Sequence, residues 1–156
     1  MMKITERLKA EHGILLLLLD HLDDVLRRRA GGETLQATVD AIAAAEEEHA
    51  LVEDKLLFGV LAESLHPECP ALAALQEDHR QVGHLAQQIR LGVFDEDMVR
   101  GYSKRLRQHI EHETHYFFPL VEELVAEDTL TKFGNWDEEH VLRTVRRGPS
   151  AELWLG

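Results

Sequence analysis

Four histidines, His12, His49, His79 and His109, each fall within the apolar stripe of a different segment with helical periodicity. On two of those segments the stripe adds a glutamate one turn later, Glu53 and Glu113. A helix advances about 100° per residue, so residues four apart lie nearly above one another. Leu8, His12, Leu15, Leu16 and Leu19 share one face, and Val39, Ile42, His49, Glu53, Leu56 and Val60 share a second. A third holds Leu72, Leu75, His79, Val82, Ala86 and Ile89. Met98, Tyr102, Leu106, His109, Glu113, Phe117, Leu120 and Leu124 form the fourth. A chain with this pattern is all-α, and its core must accommodate imidazoles and carboxylates at one level.

Breakers separate the segments. The first helix is expected over Thr5–Arg29, with Thr5 as N-cap and Gly31-Gly32 ending it. The second runs from about Thr34 to Ser64, before His66-Pro67, and the third from Pro70 to Gly92. The fourth follows the cap Asp95 and extends to about Glu127, with a kink expected at Pro119. Short connections predict an antiparallel up-down-up-down four-helix bundle over residues 1–127. Residues 128–156 read as a short helical tail packing on the bundle, with Asn135 capping a segment Trp136–Val145.

Two carboxylates in a bundle core cost several kcal/mol each, of order 3–5 kcal/mol when left unpaired. As packing, four histidines and two glutamates are costly; as ligands of a divalent metal they are sensible. Imidazole with carboxylate suits iron, manganese or zinc. Six protein ligands serve two ions more easily than one, each glutamate bridging. A weak repeat supports the set. His49-x-x-x-Glu53-x-x-x-x-Phe58 recurs as His109-x-x-x-Glu113-x-x-x-x-Phe118, and Glu11-His12 is echoed by Asp78-His79. The other histidines lack this company. His84 lies on a polar face, His112 and His115 flank the fourth stripe and point outward or stand just behind the ligands, and His21 could face the core next to Leu17 and Leu18, though no carboxylate pattern accompanies it. His66 is a loop residue, and His140 lies in the tail, where it could cover one end of the bundle.

Other chemistries fit poorly. The net charge of −12 repels phosphate backbones and argues against nucleic acid. One cysteine, Cys69, excludes an intrachain disulfide and a cysteine-rich zinc site. The apolar run Ile14–Leu19 is far shorter than the roughly 20 residues of a membrane span. Met1–Ala10 lacks secretory features, so a cytoplasmic location is expected. In His112-Glu113-Thr114-His115 the histidines are three apart, not the four of a zinc-protease helix. A ferritin-type site wants Glu-x-x-His on two helices; Glu46-x-x-His49 supplies one, and Asp137-x-x-His140 only approximates the other.

The chain resembles the hemerythrin-like, or HHE cation-binding, domains over roughly Ile4–Val125. The matching residues are Glu11-His12, His49 to Phe58, Glu77-Asp78-His79-Arg80, and His109 to Pro119. The resemblance implies a carboxylate-bridged, non-haem di-iron centre in a four-helix bundle. Its ligands would be His12, His49, Glu53, His79, His109 and Glu113. Oxygen-carrying members have a second histidine four residues after the first in the third helix; here that position is Gly83, and His84 is rotated about 100° away. Those carriers also use a bridging aspartate one residue beyond the Glu113 position. The resemblance therefore implies an open or water-filled position on one iron and room at Gly83 for a small ligand. The functions expected are reaction with, or sensing of, oxygen, peroxide or nitric oxide. An iron-responsive regulatory module, with Trp136 and Trp154 on its output surface, and a metal-stabilised structural bundle are the alternatives.

Overall fold

A computed structural model describes residues 2–64, 69–136, 140 and 143 of the chain. Among these the regular structure is helical, with no strand. The helices are α1 (Ile4–Arg27), α2 (Gly32–Val52), α3 (Phe58–Ser64), α4 (Pro70–Arg90), α5 (Glu96–His112), α6 (Phe118–Leu124) and α7 (Glu127–Gly134). A π-helical turn over Glu53–Leu57 joins α2 to α3, and a second over Glu113–Phe117 joins α5 to α6. Four rods result, packed in the ring order α1, α2–α3, α4, α5–α6. No helix among the described residues is long and apolar enough to cross a membrane.

Contacts between rod ends show that neighbouring rods run antiparallel. Arg90, closing α4, donates to Asp40 and Glu47 of α2, each at 2.7 Å. Ser103 of α5 donates to Asp23, near the end of α1, at 2.8 Å. Thr5 at the start of α1 donates to Glu122 of α6 at 2.7 Å. That bond corrects the expected N-cap: Thr5 is inside the helix and fully buried, and Lys3 precedes the first turn. Gly31-Gly32 does not end α1 either. Arg29 takes the left-handed position at φ 55°, the N–H of Ala30 reaches back to the Val25 carbonyl, and Gly31 is the N-cap of α2. Asp95 caps α5 as expected, accepting from the Met98 N–H at 2.8 Å.

The π turns shift the buried stripe. Each closes with an N–H five residues beyond its acceptor, Phe58 to Glu53 and Phe118 to Glu113, so the face downstream is rotated by about one residue. Phe118, Val121 and Val125 are buried on the fourth rod, while Leu120 is half-buried and Leu124 exposed. On the second rod Leu57, Phe58 and Leu61 are buried and Val60 is half-buried. Pro119 sits in the first turn of α6. It is not the cause of the π turn, because the same turn forms at Glu53 with Phe58-Gly59 following it.

Two apolar clusters fill the bundle. One holds Leu8, Leu56, Leu75, Phe117 and Phe118, and the other Leu15, Ile42, Val82, Tyr102 and Leu106. The histidine–glutamate layer lies between them, since each of its residues is flanked along its own rod by members of both.

The short helix α7 packs on α1. Arg7 donates to the carbonyls of Gly134 and Trp136, at 3.2 and 2.6 Å. Asn135 closes α7 rather than opening the next segment, which apart from Trp136, His140 and Arg143 lies outside the described residues, as do His66 and Trp154. Trp136 is half-buried against the first cluster, not exposed. A Cβ at Gly134 would overlap the backbone of Met2, Lys3 and Ile4. Gly134→Ala is therefore expected to cost about 1–3 kcal/mol, lowering the thermal midpoint by roughly 2–4 °C per kcal/mol. A wild-type melt would show that α7 does not dock this closely.

Candidate metal centre

Each histidine of the layer is held from outside the cluster through Nδ1. His12 Nδ1 lies 2.9 Å from Thr114 Oγ1, His49 Nδ1 2.8 Å from Glu11, His79 Nδ1 2.9 Å from Asp54, and His109 Nδ1 3.4 Å from Asp78. Holding Nδ1 turns all four Nε2 atoms inward, the orientation a metal ligand requires. The holding residues come from the neighbouring rod, and each is adjacent in sequence to another member of the layer. They obey the repeat: Glu11 and Asp78 hold the histidines of α2 and α5, while Asp54 and Thr114 hold those of α4 and α1.

The phenylalanines of the repeat obey it too. The π turn carries Phe58 over His79, with rings stacked at 6.2 Å, and Phe118 over His12 at 5.1 Å. Spacing Glu-x-x-x-x-Phe is the local signature of that turn, which places the carboxylate and the stacking ring on one face.

Glu53 and Glu113 are fully buried. Glu53 Oε1 faces His49 closely and lies 3.9 Å from His12 Nε2, while its Oε2 is 3.7 Å from His79 Nε2. Glu113 Oε1 is 3.2 Å from the Nε2 of both His12 and His109, and its Oε2 is 3.5 Å from His79 Nε2. The donors fall into two overlapping groups: His12, His49, Glu53 and Glu113, and Glu53, His79, His109 and Glu113. Within each, the donor atoms lie within 4.8 Å of one another, and both glutamates belong to both groups. All six residues expected from the sequence thus meet at one place.

The donor set fits a cation. Among the described residues, and beyond the contact with His49, neither oxygen of Glu53 has a hydrogen-bond partner, and Glu113 Oε2, His79 Nε2 and His109 Nε2 have none. The Nε2 atoms of His12 and His49 are 2.9 Å apart, an arrangement that needs a proton or a metal between lone pairs. Without metal, protons divide unequally. Burial, with the charges of His49, His109 and His79, pushes His12 down to about 2, and burial with the His79 charge pushes His109 down to about 4. Burial opposes charge on His49 too, but Glu53 and Glu11 outweigh it and raise it to about 10. His79 is raised likewise, with Asp54 and Glu53 overcoming burial. Protons are thereby favoured on His49 and His79 over His12 and His109.

The remaining histidines stay outside. His84 is exposed, as expected, and of the two places open to His112 and His115 both take the outward one; His21 does not face the core, because its helix turns it to solvent together with Leu17. His140 packs edge-on against Trp136 at 4.5 Å and belongs to neither donor group. Sequence reasoning missed the holding role of Glu11, Asp54, Asp78 and Thr114. Their adjacency to the ligand positions was the available signal. It also set aside Glu46, which is buried 6 % exposed beside the layer, and whose carboxyl burial pushes up to about 7, eased by His49 and reinforced by Glu53.

Because a ligating imidazole must be deprotonated at the ligating nitrogen, the proton favoured on His49, and any on the likewise raised His79, has to leave when a cation enters. At pH 7, below the raised value of His49, uptake by metal-free protein is expected to release between about one and two protons per chain. A pH-indicator dye in weak buffer measures this; release of none would mean that the imidazoles are already neutral.

The hemerythrin HHE cation-binding domain model matches residues 3–121, from just before α1 to Val121 of α6. No curated protein and no solved structure shows significant similarity to the chain. The match spans all four rods and all six residues of the layer, and the chain belongs to the hemerythrin HHE cation-binding family.

Proposed function

We propose that the six residues hold two iron ions, with Glu53 and Glu113 shared between them, and that the centre reacts with or senses oxygen, nitric oxide or peroxide. The observation that carries this reading is the pair of donor groups that overlap in both glutamates. Imidazole and carboxylate suit iron, and manganese or zinc would also be accepted. Bound iron would supply the capacity to exchange electrons with a small ligand. Each group offers four donors, fewer than the six of an octahedral site, which leaves positions for that ligand.

The chain's own residues do the rest. Thr114, Glu11, Asp54 and Asp78 fix the imidazole orientations, and the three carboxylates raise the basicity of the rings they hold. Phe58 and Phe118 cover two of those rings, and the apolar clusters above and below keep bulk water from the layer. In this reading residues 1–127 carry the centre, and the described part of 128–156 packs on the bundle through α7. With its single cysteine and acidic surface, the protein is placed in the cytoplasm, with no nucleic-acid partner.

Anaerobic reduction of iron-loaded protein, then stopped-flow mixing with oxygen, nitric oxide or peroxide, should give a rapid absorbance change. A centre inert to all three would leave only a structural or regulatory role. Glu53→Ala and Glu113→Ala should lose metal far more severely than His84→Ala. Equal loss in all three would contradict the assignment of the layer.

A further inference from the structure

A cavity of about 60 Å³ lies between α2, α4 and α5, lined by Ala43, Glu46, His79, Gly83 and Tyr102 among others. Its rim carries the exposed residues Glu47 and Gly83, and its floor the buried Glu46 and Tyr102 with the His79 side chain, 6 % exposed. Neither oxygen of Glu46 has a hydrogen-bond partner among the described residues, nor does the Tyr102 hydroxyl. Leaving a carboxyl and a phenol unpaired in a core costs free energy that no packing need explains.

The internal repeat sharpens the point. Leu106 stands on the fourth rod where Glu46 stands on the second, and Ile42 stands where Tyr102 does, both fully buried. Leu16 on α1 corresponds to Gly83 on α4. The apolar side of the repeat shows that this scaffold packs without the carboxyl, the phenol or the gap. All three departures meet at one cavity. A Cβ added at Gly83 would meet nothing within 4 Å, so the glycine is not demanded by backbone packing. The volume is several times the ~10–15 Å³ that one water needs, enough for a molecule of a few heavy atoms.

We propose that this cavity is the passage and holding site for a small uncharged molecule that donates and accepts hydrogen bonds, admitted at Gly83 and held by Glu46 and Tyr102 beside His79. It rests on the metal reading above, and gives that centre one polar approach, on the α4 side.

The test uses iron-loaded protein, with iron content measured first for every variant. Two probes are followed by stopped flow: hydrogen peroxide, which hydrogen-bonds, and nitric oxide, which does so weakly. Gly83→Leu should slow uptake of both by about tenfold or more, with iron content unchanged. Glu46→Leu and Tyr102→Phe should slow hydrogen peroxide by about tenfold, the loss of roughly one hydrogen bond, and leave nitric oxide nearly unaffected. In metal-free protein, Glu46→Leu should melt above wild type, since it removes an unpaired buried carboxyl. Full iron with both rates unchanged in Gly83→Leu would overturn this inference alone. So would metal-free Glu46→Leu melting well below wild type, which would make Glu46 a structural partner. A wild type that takes up no iron would overturn the functional reading, and this inference with it.

Discussion

Two glutamates with no solvent exposure, set between two apolar clusters, are the constraint to which the rest of the molecule answers. Among the described residues their ion-pair partners are the four imidazoles, and no lysine or arginine pairs with them. In metal-free protein a proton is favoured on His49 and, by the same direction of shift, on His79, while burial and charged neighbours disfavour one on His12 and His109. The same arrangement that balances charge with protons can balance it with cations. Metal binding and the integrity of the core are thus one problem, since an uncompensated carboxylate pair would cost several kcal/mol, of order 3–5.

The repeat explains how a short chain builds such a layer. Two helical hairpins each contribute an acid–His pair and a His-x-x-x-Glu-x-x-x-x-Phe run; Glu11 and Asp78 hold a histidine within their own hairpin, and Asp54 and Thr114 hold one in the other. The π turns carry the carboxylate and the phenylalanine onto one face, at the cost of shifting the apolar stripe beyond. Symmetry is broken where chemistry differs. Thr114 stands where Asp54 does, so His12 is held by a hydroxyl and His79 by a carboxylate. Glu46, Tyr102 and Gly83 likewise break it on one side only.

Much of this was legible in the sequence, because 3.6-residue periodicity puts His12, His49, His79 and His109 on apolar faces whether or not the rods are yet assembled. The bundle and the gathering of these histidines with Glu53 and Glu113 followed from that. The π turns were not legible from periodicity, which assumes an unbroken helix, and so Leu120 and Leu124 were assigned to a face that Val121 and Val125 occupy. Their trace lay in the Glu-to-Phe spacing. The Nδ1 partners and the Glu46–Tyr102 cavity depend on which rods are neighbours, something no single helix reveals. Thr5, Gly31-Gly32 and Asn135 suited caps by type, yet the ends were set elsewhere. Thr5 is drawn into the core by Glu122, Arg29 tolerates the left-handed turn that ends α1, and Asn135 terminates α7.

The most direct measurement is metal content per chain, by elemental analysis of protein purified without added metal or chelator. The account predicts about two irons per chain, the number that two donor groups sharing both glutamates can serve. No metal, in an intact helical protein that takes up none when iron is supplied anaerobically, would contradict it.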